Sequence, residues 1–528
     1  MILDFRLSLG IKKQSVIKKL VVVGLFPLVL FGQEKDTVAM RFSKFITAEG
    51  MSKNLHVLAS DEYEGRETGK RGQKMAATYI SKQFKEMGIP PYKDTSYYQE
   101  FPLNIVKPMP AEVKVNGKQY EGNKDFYSYP GQSEQRIEVS KLMFAGYGID
   151  DAKYSDYKET EVKNKVVMIM SGEPCGKDSI SRITGTKISS SWSTNYRAKL
   201  ETAREKGARA ILIVVDDVAK DLQTNKHPLE TESMKLESDK TEMPIVYISI
   251  QMANEILKKQ TIHSIQEKIA LSGKPHHAVI KTKMVIEIKN KVEKIYSENV
   301  LGYIEGKELK NELIVVTAHY DHLGKDGNKI YNGADDDGSG TTAVVELAKA
   351  FETAKKQGYG ARRSMLFMTV AGEEKGLLGS SYYVQHPEFP LANTVCDLNI
   401  DMIGRQDEKH KGNPNYVYVI GSDKLSSQLH AISENANKTY SKLEMDYTYN
   451  DVNDKNRFYY RSDHYNFAKN GIPVIFYFNG VHADYHRETD EVEKINFDKM
   501  EKITRLVFFT AWELANRKER IVVDSDKK

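Results

Sequence analysis

Cysteine is almost missing from this chain: its 528 residues hold two, Cys175 and Cys396. They lie far apart and fall in different predicted domains. They read as free thiols, which excludes a scaffold stapled by disulfides. No low-complexity tract or self-similar unit of solenoid length recurs, so neither long disorder nor a repeat array is expected. An apolar run long enough to span a bilayer, ~20 residues, is lacking too. The run at 20–31 is shorter. It follows Lys12, Lys13, Lys18 and Lys19, and charge resumes at Glu34. A basic stretch, a short apolar stretch and a polar start form the pattern of a secretory signal peptide over 1–33. The expectation is an exported protein, secreted or periplasmic, with no stable membrane span after signal cleavage. An uncleaved N-terminal anchor is the alternative. No cysteine ends the run to carry a lipid.

A surplus of one charge is also absent. The formal net charge is +4, and residues 1–32 carry four lysines and Arg6 against Asp4, so the remainder is formally neutral. The basic balance belongs to the signal, and no nucleic-acid partner is expected.

What is present is the composition of a folded protein, 40% hydrophobic and 28% charged. The length exceeds one ordinary core. Ala76, Ile80, Phe84 and Met87 recur at helical spacing until Gly88 and Pro90 stop them. Over 112–280 the texture changes to short strand-like runs at 166–170, 210–215 and 244–248, with a helix at 199–206. His227, His263, His276 and His277 stand there in polar surroundings without ligand spacing and read as solvated. This segment is predicted to be a separate, non-catalytic domain inserted between 34–111 and 281–520. In the last part, strands predicted at 313–318, 365–370, 395–400, 416–420 and 474–478 alternate with helices at 340–353, 376–384 and 424–437, and a helix at 497–516 closes the fold. That alternation predicts an α/β sandwich on a largely parallel sheet, with ligands at the carboxyl ends of its strands.

The chemistry-bearing residues fall at those ends. The first strand runs into Ala318-His319-Tyr320-Asp321-His322. The imidazole of His319 is rigidly placed, and a carboxylate two residues on points to the same side, where it can hold the other ring nitrogen. Three adjacent acids, Asp335, Asp336 and Asp337, open a helix within Gly333–Gly340 and repel one another unless cations neutralise them. No glutamate closes a loop of calcium-hand length. Glu373 and Glu374 end the next strand, where one can ligate a metal while the other moves a proton. Asp401 follows an apolar strand and needs a partner if buried. His486 closes His482-Ala483-Asp484-Tyr485-His486. Each piece alone has an ordinary reading. Together they put two His and three acids on one sheet edge, a donor set that suits zinc.

The ordered strings "AHYDH", "NGADDDGSG", "AGEEKGLLGS", "NIDMIG", "SDHYNF" and "HADYHRETDEV" resemble metallopeptidase family 28. The resemblance implies a three-layer α/β/α zinc-exopeptidase fold of the phosphorylase/hydrolase-like kind, with 112–280 as an inserted β-rich protease-associated (PA) domain. It implies two zinc ions: His319 and Asp401 hold one, Glu374 and His486 the other, and Asp336 bridges. Glu373 matches the general base, Asp321 the acid that orients His319, and Tyr485 an oxyanion-stabilising tyrosine. A cis peptide is expected at Asp336–Asp337. The implied activity is removal of the N-terminal residue from peptides. Alternatives on the same fold are a glutamate carboxypeptidase-like enzyme, which should place Arg457 or Arg461 at the pocket, and a one-zinc glutaminyl cyclase. A PA-domain binding protein with structural zinc is the non-enzyme alternative. Asp463 and His464 are open between functional and structural roles. His482 and His322 read as structural. The loop 447–465, with Tyr447, Tyr449, Tyr459, Tyr460 and Tyr465, is open between pocket wall and packing. Oligomeric state is not legible.

Overall fold

The computed structural model describes residues 35–525 except 94, 129–131, 159, 225–231 and 238–241. The segment read as a signal peptide, and His227, lie outside the described residues.

Successive side chains of a strand point to opposite faces, and a sheet covered on both faces needs apolar residues at nearly every position. The strands Leu309–His319 and Arg363–Val370 meet that demand over 313–318 and 365–370. Ile314, Val316, Ala318, Met365 and Phe367 enter one core. Leu313, Val315, Leu366, Met368 and Val370 enter the other. The first core is closed by the helices Arg71–Met87, Gly340–Ala354 and Phe497–Asn516, through Phe84, Leu347, Phe351, Ile503 and Leu506. The second is closed by Leu378–Gln385 and His464–Ala468, through Tyr383, Val384 and Phe467. Helices on both faces of one sheet make three layers.

The nine-stranded sheet runs Glu444–Asp446, Tyr416–Ile420, Val474–Phe478, Thr394–Ile400, Leu309–His319, Arg363–Val370, Asn290–Ile304, Tyr98–Pro108, Ser233–Leu236. It is parallel from Val474–Phe478 to Arg363–Val370, but Asn290–Ile304 pairs antiparallel with both Arg363–Val370 and Tyr98–Pro108, and Tyr416–Ile420 pairs antiparallel with Val474–Phe478. The parallel arrangement expected from alternation therefore holds only in the centre. The chain leaves this sheet along Tyr98–Pro108 and re-enters along Asn290–Ile304. The two strands pair from Tyr98↔Val300 to Pro108↔Asn290, as an outgoing and a returning segment must.

Between them lies an eight-stranded sheet built from residues 112–288. Its centre, from Gln135–Ala145 through Val166–Met170 and Ala210–Val215 to Ile245–Ser249, is parallel. Helices Ile250–Leu257 and Ile262–Ser272 cover one face and Tyr196–Glu205 the other. The segment is thus an eight-stranded unit with helices layered on both faces of its sheet. Its parallel strands need crossover helices, which bury the second face. Its last strand, His277–Ile288, straddles position 280, and Ser233–Leu236 leaves the unit to pair with Leu103–Val106 of the nine-stranded sheet. Cys175 and Cys396 are free. No helix among the described residues is long and apolar enough to cross a membrane.

Candidate metal centre

His319 ends its strand fully buried, with Nε2 3.2 Å from Asp336 Oδ1 and 3.8 Å from Asp401 Oδ1. Its Nδ1 lies 3.0 Å from the carbonyl oxygen of Asp321 and 3.8 Å from Asp321 Oδ1. The backbone of Asp321, more than its carboxylate, therefore faces the ring. The carboxylate instead accepts from Thr68 Oγ1 at 2.6 Å and from the Glu373 backbone N–H at 3.3 Å. It ties the His319 strand to the Glu373 turn.

The three adjacent aspartates have separate tasks. Asp335 accepts from the Gly404 N–H at 2.6 Å and faces His482 Nε2 at 3.2 Å. Asp337 accepts from the backbone N–H groups of Gly340, Met402 and His319 at 2.8, 3.1 and 3.3 Å. Asp490 accepts from the N–H groups of Asp335 and Asp336 at 3.0 and 3.1 Å. Asp336 alone of the three turns toward both His319 and His486, and the Asp336–Asp337 peptide is cis. The turn requires glycine at 333: φ is +52°, and a Cβ there would lie 2.3 Å from the Asp336 carbonyl oxygen. Arg66, fully buried, donates to the carbonyls of Leu58, Tyr320, Asn332 and Gly333 at 2.6–2.9 Å.

On the opposite side, His486 Nε2 is 3.1 Å from Asp336 Oδ2 and 3.2 Å from Glu374 Oε2. Asp336 thus offers one oxygen to each imidazole. Asp401, just past Thr394–Ile400, accepts from Ser462 Oγ at 2.7 Å. Glu373 Oε2 is 4.0 Å from His319 Nε2. The structure brings the five predicted ligands and Glu373 to one place, and Tyr485 stacks on His486 with ring centroids 3.8 Å apart.

Burial opposes charge on Asp336, yet His319 and His486 hold it well below the usual carboxylate range. Glu374, likewise desolvated, is brought down to about 2 chiefly by His322 and His486. Glu373 goes the other way: burial raises it well above the usual range, His319 opposes, and Glu374, Asp401 and Asp463 add to the rise. Burial would neutralise His486, but Asp336 and Glu374 push it up to about 10.

A metal fits these residues. Buried Asp336 Oδ2, Glu374 Oε1 and both ring nitrogens of His322 have no hydrogen-bond partner, and such groups are costly to bury unsatisfied. Within 4.8 Å of one another, His319, Asp336 and Asp401 form one candidate donor set, and His322, Asp336 and Glu374 another. His322, read from sequence as a satisfied structural histidine, is buried here without a hydrogen-bond partner. It lines the cradle, with Nδ1 2.8 Å from Glu374 Oε1. Its place in the string "AHYDH", three residues past a ligand-type histidine, was the available signal. Arg66, Thr68 and Ser462 carried none.

Beside the acids is a pocket walled by Met402, Phe458, Phe476 and Phe478, with Arg461 and Tyr485 also lining it. The tyrosines of loop 447–465 do not line it. Tyr449 packs behind Phe458 and Phe478, and Tyr459 against Tyr460, His464 and Tyr465. Arg457 lies over Tyr460, whereas Arg461 lies over Phe458 and donates to Tyr485 Oη at 3.2 Å. Asp463 is buried, accepts from Ser380, and is pushed up to about 7 by burial. His464 stacks on Phe476, and burial drives it down to about 3. His482 faces Asp335, in keeping with a structural role.

A carboxylate shared by two imidazoles at the carboxyl edge of a parallel sheet, flanked by three further acids, is a donor set that suits zinc. The family model described as "Peptidase family M28" matches residues 299–511. Aminopeptidase YwaD of Bacillus subtilis (strain 168) is 25% identical over 333 residues, covering 62% of this chain and 61% of that protein. A "Probable leucine aminopeptidase" of Trichophyton verrucosum (strain HKI 0517) is 32% identical over 227 residues, covering 41% of this chain and 57% of that protein. The chain thus spans about three fifths of the length of these relatives. Among solved structures, an aminopeptidase from Aneurinibacillus sp. strain AM-1 aligns with 92% of this chain and 99% of its own, at TM-score 0.49 and 19% identity.

Proposed function

We propose that the protein is a zinc-dependent exopeptidase that hydrolyses the N-terminal residue from peptides. The observation that carries this is Asp336, whose two oxygens face His319 and His486 at 3.2 and 3.1 Å. That geometry supports a carboxylate bridging two zinc ions, one held with His319 and Asp401, the other with Glu374 and His486. Bound there, the ions would supply Lewis acidity and a water acidified enough to attack a peptide carbonyl. Glu373, poised high by burial, takes the attacking water's proton and passes it to the leaving amine. The Tyr485 hydroxyl donates to the carbonyl oxygen as charge develops on it. Arg461 donates to that hydroxyl's oxygen, which leaves the phenolic proton free to point elsewhere. The apolar wall of Phe458, Phe476 and Phe478 favours an apolar terminal side chain. The names of the relatives, an aminopeptidase and a leucine aminopeptidase, agree with this choice.

Arg461 at the pocket supports one second reading, recognition of a terminal carboxylate. A panel of aminoacyl-4-nitroanilides and N-blocked peptides separates the two. Cleavage of leucyl-nitroanilide, abolished by a chelator, is expected, while cleavage of N-blocked peptides alone would overturn the aminopeptidase assignment. We also propose export, on the pattern at 1–33, and a PA-type role for the domain at 112–288 in a non-catalytic capacity.

A further inference from the structure

We propose that His322 is a further ligand of the zinc ion on the Glu374 side, binding it through Nδ1. This rests on the two-zinc reading above. The ring is completely buried, and neither nitrogen has a hydrogen-bond partner. Nδ1 comes within 2.8 Å of Glu374 Oε1 and 3.9 Å of Asp336 Oδ2. Glu374 Oε1 likewise has no hydrogen-bond partner. One cation between these buried donor atoms would satisfy both. Donors about 2.0–2.2 Å from zinc stand roughly 3–4 Å apart around it, and these separations fall near that range.

The ring is also fixed. The backbone N–H of His322 donates to the Arg66 carbonyl at 3.2 Å, and a Cβ at Gly333 would strike the ring at 2.5 Å. His486, by contrast, has a side chain 36% exposed. The ion on this side would then be gripped from the interior by His322 and Glu374, and from the rim by His486.

The two sites become unlike. With His322 included, Asp336, Glu374, His486 and His322 would hold the ion on one side, and Asp336, Asp401 and His319 the ion on the other. The side with fewer protein donors is the one next to Glu373.

The test uses the full-length protein loaded with zinc. X-ray absorption of the wild type should count three imidazoles for two ions, where His319 and His486 alone would provide two. On chelator titration followed by metal analysis, H322A and H322N should each release one of their two zinc ions at about 100-fold lower chelator concentration or less, beyond the 10–100-fold typical of losing only a supporting hydrogen bond. Circular dichroism checks that the variants fold, and the wild-type spectrum needs no variant. Two imidazoles for two ions, or unchanged zinc retention in folded variants, overturns the assignment of His322 and leaves the exopeptidase reading standing. A wild type that holds fewer than two zinc ions, or cleaves no aminoacyl-nitroanilide, brings down that reading and the assignment with it.

Discussion

Glu373 and Glu374 share a peptide bond, yet their surroundings drive the two carboxyls in opposite directions. Glu374 faces His322 and His486 and is held down to about 2. Glu373, buried among Glu374, Asp401 and Asp463, is raised well above its ordinary value. Neighbouring groups set apart in this way mark a division of acid–base labour. Glu373→Gln should keep the full zinc content and lose about 10²–10⁴ in kcat. Glu374→Gln should lose zinc first. Metal analysis beside nitroanilide hydrolysis checks both, and a Glu373→Gln enzyme of normal turnover would remove Glu373 from the role of base.

Tyr485→Phe deletes one hydroxyl and preserves the ring stacked on His486. If that hydroxyl serves the developing oxyanion, kcat should fall about 10²-fold while KM changes little. Steady-state kinetics decide this, and a pure KM effect would make Tyr485 a binding residue only.

Protons and zinc compete for the same carboxylate cage. Burial alone would leave His486 neutral, but Asp336 and Glu374 push it up to about 10. The metal-free site therefore holds a proton there at pH 7. Zinc must displace it, so zinc affinity should rise with pH up to about 10 and fall as the site acidifies. Calorimetric zinc titrations in buffers of different ionisation enthalpy should show proton release at pH 7. None at all would contradict the cage as described.

His464 carries a pH signature of its own. Burial holds it neutral down to about 3, while an unfolded chain protonates it near the ordinary 6.5. Between those values the unfolded state binds the extra proton, so stability should rise with pH across that window and be lost as pH falls through it. H464F, which keeps a ring against Phe476, should flatten the dependence. Denaturant midpoints from pH 7 to pH 4 measure it, and parallel curves for both proteins would refute it.

Arg66 holds four buried carbonyls around the His319 and Asp336 loops. Arg66→Ala should destabilise the protein by on the order of 3–5 kcal/mol and lower zinc occupancy with it. Urea unfolding with metal analysis tests the pairing of the two losses.

Much of this molecule is written locally. Largely apolar runs such as 365–368 announced the central strands, because a strand covered on both faces admits few polar residues. Polar residues at the ends of those runs announced the site, because a parallel sheet collects its strand ends along one edge. Other features depended on which segments meet in space. Arg66 comes from far upstream, and no periodicity links it to Gly333. The antiparallel flank follows from the path of the chain out to the second domain and back. In sequence His322 is marked only by its place three residues after His319. Only the approach of Glu374 and Asp336, on other elements, turns its buried nitrogens into donors that need a cation. Residue type and strand position are local properties that the chain states outright. The electrostatic role of a side chain is set by its neighbours, and folding alone supplies them.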